Sequence, residues 1–173
     1  MAIDVGPGCD HTGDSGNEGK TVIEAKNAAN ATGTIDYVCF SNPGSGPTID
    51  VATFIHEGSN AFSTRGVASG LACSGGTPYE FNAPGDFTAF DVNIGDYFGV
   101  YVGGDVDFHR DAGGTPRAWS LYGDRIPCSS LTFSLDGSDK TYAMYATGEE
   151  IGVGVAPTGA LYGPLVGPLG GPI

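Results

Sequence analysis

The sequence predicts an all-β protein: a single antiparallel β-sandwich, jelly-roll-like, of about ten short strands, followed by an extended C-terminal arm. Three observations predict it. Thirty glycines and eleven prolines punctuate the 173 residues, and they recur between short runs rich in Val, Ile, Tyr, Phe and Thr. The longest clean alternation, Asp96 to Val102, places Tyr97, Gly99 and Tyr101 on one face and Phe98, Val100 and Val102 on the other. Bulky residues on both faces mark a central strand with neither face in open water. The third observation is negative: the one stretch of helix-friendly composition, EAKNAANATG, is cut by Asn27, Asn30 and Gly33 before it can exceed a turn.

The remaining strands follow in order. Ile3–Val5 and Thr21–Glu24 flank a Gly/Asp/Asn-rich loop. Thr34–Phe40 alternates through Ile35, Tyr37 and Cys39, and SNPGSGPT ends it. Ile49–His56 turns Ile49, Val51 and Ile55 inward. Phe62–Ala68, Tyr79–Asn82 and Thr88–Ile94 lead to the central strand. Val106–Arg110 is expected to pair with that strand as a hairpin across Gly103-Gly104. Ala118–Tyr122, Leu131–Leu135 and Tyr142–Ala146 complete the set, with Leu131, Phe133 and Leu135 facing in.

A chain of this length forms one domain with its own core. Residues 1–148 read as the sandwich and residues 149–173 as the arm. After Glu149 and Glu150 the arm carries no charge and ends in GPLVGPLGGPI. Its Gly-Pro-aliphatic unit recurs every four residues, which is not the three-residue period of collagen. Pro164, Pro168 and Pro172 exclude a central strand and favour extended backbone. Leu161, Leu165, Val166, Leu169 and Ile173 are the side chains with which such an arm is expected to dock on neighbouring subunits, the alternative being that it folds back on its own domain.

Twenty acidic against seven basic residues give a formal charge of −13. That balance repels phosphate backbones and anionic lipid, so neither nucleic acid nor a membrane is expected as a partner. No run approaches the ~20 apolar residues of a membrane span. The opening MAIDVGPGCD has neither a basic nor an apolar signal region; export is expected by lysis, as for virion proteins, or through a leader outside this sequence. Cys9, Cys39, Cys73 and Cys128 fit no zinc spacing, and they allow three two-bridge pairings or free thiols.

Candidate chemistry is sparse. Asp105, Asp107 and Asp111 around His109 offer hard oxygen ligands for calcium, without the glycine and terminal glutamate of an EF-hand loop; a solvated hairpin tip has the same composition. His56-Glu57 lacks the second histidine of a zinc protease, and no GxSxG elbow, P-loop or dinucleotide fingerprint is present. No catalytic residue, cofactor or metal is therefore expected, calcium aside. Trp119, Tyr122 and Tyr97 are the aromatics on which a sugar could stack, although a lone tryptophan in a sandwich also serves as core. The sequon Asn30-Ala31-Thr32 reads as a chance tripeptide.

The runs GDYFGVYV, Asp111, Trp119, GDRIPC, LTFSL and YAMYATG, with AIDVG at 2–6 and NAANATGTI at 27–35, resemble an uncharacterised β-sandwich family recurrent in environmental and phage-type sequences. Its pattern is GDYxGxY, an acidic turn, W, GDxIPC and YxTG, and it covers residues 1–148. The resemblance implies an architecture and a viral or extracellular setting, with no functional residues to carry over. Thr115-Pro116-Arg117 lengthens the turn before Trp119, and the 25-residue tail lies beyond the family's usual end.

These features together lead to an expected non-enzymatic structural protein of a repeated extracellular assembly, of the capsid-decoration or fibre type, whose partners are its own copies or other proteins of the particle. Two alternatives are a glycan- or cell-surface-binding module and an extracellular filament subunit.

Overall fold

The computed structural model describes residues 2–10, 13, 15–16, 19–41, 46–74, 77–103, 108–112, 118–136 and 140–151. Among them there is no helix, and fifteen strands run in chain order. These are β1 (Ala2–Gly8), β2 (Ser15–Gly16), β3 (Lys20–Glu24), β4 (Gly33–Phe40), β5 (Thr48–Gly58), β6 (Ala61–Ala72), β7 (Tyr79–Asn82) and β8 (Phe90–Val92). They continue as β9 (Tyr97–Val102), β10 (Phe108–Ala112), β11 (Trp119–Tyr122), β12 (Leu131–Thr132), β13 (Ser134–Leu135), β14 (Lys140–Tyr142) and β15 (Met144–Glu150).

Among the described residues every pairing between named strands is antiparallel, with one isolated parallel bridge between Lys20 and Gly123, and the strands make an all-β sandwich of two main layers. One layer has the order β1-β15-β4-β7, with β8 also on β4; the other has the order β12-β6-β5-β9-β3-β11-β13. A small third sheet runs β14-β10-β2. The larger layer curls almost to closure. Its two edge strands, β12 on β6 and β13 on β11, are separated in sequence by Phe133 alone, so one short piece of chain spans both rims.

That curl gives the central strand a core on each face. Phe98, Val100 and Val102 of β9 join Ile3, Ile35, Phe40 and Val51 between the layers. Tyr97 and Tyr101 face a second cluster inside the curl, built from Ile23, Ala52, Phe54, Phe62, Ile126 and Phe133. Gly99 is required between them, because a Cβ there would meet the Phe54 ring at 2.6 Å and the Val22 carbonyl at 2.8 Å. β5 shows the same division: Ile49 and Val51 face the other layer and Phe54 faces the curl. Ile55 belongs to neither cluster and is half-buried.

Several local expectations are corrected. β10 pairs with β14 and β2, and not with the central strand as a hairpin. The expected Tyr142–Ala146 strand is two strands in different sheets, switching at the buried Ala143, whose N–H donates to the His109 carbonyl while its own carbonyl accepts from Ser41. In LTFSL only Phe133 is fully buried; Leu131 packs partly against the inner cluster, and Leu135 is 45% exposed, because each flanking strand is two residues long and turns to a different partner.

Cys9 and Cys39 form a disulfide, with Cα atoms 5.8 Å apart, pinning the chain after β1 to β4. Cys73 and Cys128 are free thiols. The assembly-arm residues Leu161, Leu165, Val166, Leu169 and Ile173, the calcium candidates Asp105 and Asp107, and the side chain of Asp111 lie outside the described residues.

Candidate functional site

Four places in the described structure bear on function. The first is the root of the tail. β15 lies between β1 and β4, hydrogen-bonded to both, and its last pair is Glu150 with Gly33. Gly33 also faces Val92 of β8, and the strands approach so closely that a Cβ on Gly33 would run into the Glu149 carbonyl. Thr32, just before this crossing, gathers the chain as it leaves β8 and β15. Its hydroxyl accepts from the Ile94 N–H at 3.1 Å and its carbonyl accepts from the Ile151 N–H at 3.1 Å. Both isoleucines point outward, Ile94 at 69% and Ile151 at 61% exposure. An exposed aliphatic pair therefore marks the point where the uncharged tail begins.

The second is the open end of the curled layer. Antiparallel pairing brings the ends of β3, β5 and β13 and the starts of β6, β9 and β11 to one rim. His56, Phe62, Tyr97 and Trp119 meet there. The Tyr97 and Trp119 rings are 5.3 Å apart at 67°, and His56 stacks on Phe62 at 4.8 Å. The β5–β6 connection is a two-residue turn in which Ser59 and Asn60 have φ of 47° and 65°, the geometry of a type I′ hairpin. From that turn Asn60 Oδ1 accepts the Trp119 indole N–H at 2.9 Å.

The sequence-derived aromatics thus divide. Tyr97 and Trp119 come together, whereas Tyr122 lies at the other end of β11, 70% exposed, with the Lys20 ammonium 4.9 Å from its ring centroid. Phe62 and Asn60 complete the aromatic end without having been singled out from sequence, and His56, weighed there only as part of a zinc-protease motif, joins them. The only local signal for them is the Gly-Ser-Asn turn that folds His56 back onto Phe62.

The third is a cleft of about 310 Å³ beside β7, lined by Ala72, Ser74, Pro78, Tyr79, Glu80 and Asp86 among others. Its two carboxylates are engaged: Glu80 accepts from the Tyr37 hydroxyl and Asp86 from the Asn82 N–H.

The fourth is a hydroxyl–imidazole contact where β4, β10 and β7 approach. Ser41 Oγ lies 2.8 Å from His109 Nδ1 and 2.8 Å from Thr77 Oγ1. Burial lowers the pKa of His109 and favours neutral imidazole. Ser41 is only 2% exposed and its hydroxyl is shared with Thr77, so it is a buried strap between elements and not a nucleophile open to substrate. Among the described residues no group of three His, Cys, Asp or Glu side chains is placed to hold a metal.

No family model matches the chain, and neither a curated protein nor a solved structure matches it.

Proposed function

We propose that this chain is a non-enzymatic structural protein of a repeated extracellular assembly, of the virion-surface kind, in which the sandwich is the outward body and the tail is the arm that docks on a neighbouring copy. The observation that carries this reading is the exposed Ile94–Ile151 pair at the tail root, continuous in sequence with a segment that has no charge. On a molecule of charge −13, contact between copies is least opposed where charge is absent. The arm is also well anchored, since a load on it is shared by the two ladders that flank β15. The Cys9–Cys39 disulfide fits an oxidising setting.

The test is the mass of the full chain by light scattering across a concentration series, beside Ile94→Asp and Leu165→Asp/Leu169→Asp variants. A defined oligomer or particle that both variants dissociate supports the proposal. A full chain that stays monomeric throughout, or variants that assemble as the parent does, overturns it.

A further inference from the structure

We propose a second, independent site: the aromatic end of the curled layer binds neutral sugar rings, with Trp119 and Tyr97 as the apolar platform and His56 and Asn60 as the polar contacts. Phe62 is fully buried and forms the floor. Around it His56 is exposed and Tyr97, Trp119 and Asn60 are half-buried. The Trp119 ring lies 5.5 Å from His56 and 4.9 Å from Phe62. Leu135, which pairs across from Trp119, adds an aliphatic edge at 45% exposure. Among the described residues these rings form a partly exposed rim at the mouth of a nearly closed sheet, a position where barrel-like folds accept ligands.

The chemistry of the rim selects the ligand class. Aromatic faces suit the C–H faces of a pyranose, and aromatic side chains present large rigid surface at little entropic cost. A sugar also needs planar polar groups at the edge of that surface. Asn60 provides one: its Oδ1 is committed to Trp119, and its Nδ2 makes no bond among the described residues, so it remains a donor. His56 provides ring nitrogens able to donate and accept. The indole is held at its N–H end by Asn60, which fixes the platform before ligand arrives. Glu57 is engaged by the Ser63 and Ser130 hydroxyls, both at 2.6 Å. With the molecule at −13, sialylated or sulfated sugars are repelled and neutral ones are not.

Trp119 is the only tryptophan in the chain, so its fluorescence reports on this end alone. The experiment screens the full chain on an array of neutral and anionic oligosaccharides and then titrates the best neutral glycan while following tryptophan emission. The expected result is a saturable emission change with a neutral glycan, weakened at least tenfold in His56→Ala and in Asn60→Ala. Because Asn60→Ala also removes the indole bond, His56→Ala, at an exposed position, is the deciding variant, and an unchanged melting temperature establishes that it is folded. No neutral glycan bound, anionic glycans bound instead, or full affinity in a folded His56→Ala overturns the proposal. None of these results depends on whether the tail assembles.

Discussion

Asn30 and Asp4 hold each other by a reciprocal pair of bonds. The Asn30 side-chain oxygen accepts from the Asp4 N–H at 3.0 Å, and the Asp4 carbonyl accepts from the Asn30 N–H at 3.3 Å. Asn30 Nδ2 continues to the Ala2 carbonyl, and Asn27 exchanges bonds with Gly6 in both directions. The outer edge of β1 is therefore covered by two asparagines of an irregular segment in place of a strand, which blunts a surface prone to pairing with other chains. Asn30→Ala is expected to cost about 1 kcal/mol and to speed amide exchange at Asp4, measured by hydrogen exchange. Unchanged exchange at Asp4 in Asn30→Ala would count against this account.

Arg65 and Asp96 form an ion pair at 2.6 Å in which the carboxylate is 5% exposed and the guanidinium side chain 27%. Asp96 also accepts from the Asn93 N–H at 2.8 Å, and its carbonyl accepts from Ala29. Arg65→Ala leaves a buried carboxylate with a single donor, and a loss of about 2 to 3 kcal/mol is expected. Replacing Asp96 by Asn in that background should recover part of it. Urea unfolding of the two singles and the double measures the coupling, and simple additivity would contradict the pairing.

Glu24 is wholly buried at the end of β3, where the Tyr142 and Lys26 N–H groups donate to its two oxygens. Burial outweighs those bonds and the nearby Lys26 charge and raises its pKa to about 7. Because the folded value lies above the unfolded one, the stability this group contributes is fully present below about pH 4.5 and is lost as pH rises to about 7, a difference of roughly 3 kcal/mol. Glu24→Gln should flatten that part of the profile. Melting temperatures of both proteins between pH 4 and pH 8 check it, and parallel curves would reject it.

The Cys9–Cys39 bridge closes a loop across a sequence separation of 30, and its loss is expected to cost about 3 to 4 kcal/mol by chain entropy. Burial pushes the Cys73 thiol up to about 11 and also raises Cys128, so both resist oxidation near neutral pH. A reductant should lower the melting temperature of the parent and leave Cys9→Ser/Cys39→Ser unaffected. Equal sensitivity in both would place the redox effect elsewhere.

The sequence by itself determined the class of fold and the two-sided central strand, because period-two alternation is a local property: Phe98, Val100 and Val102 sort from Tyr97 and Tyr101 without knowledge of what covers either face. It also located glycine-rich turns and the break in composition near residue 150. The tertiary structure decided what those faces meet. Closure around Phe133 depends on two-residue strands too short to carry a pattern, and β10 finds β14 and β2 because register is set by distant neighbours. The aromatic end is the clearest case. Trp119 and Tyr97 could be named from sequence as ring-bearing residues, but His56, Phe62 and Asn60 join them only when a type I′ turn and antiparallel pairing bring residues 56 to 119 to one rim. Local periodicity fixes which way a side chain points, and only long-range pairing fixes which side chains it meets.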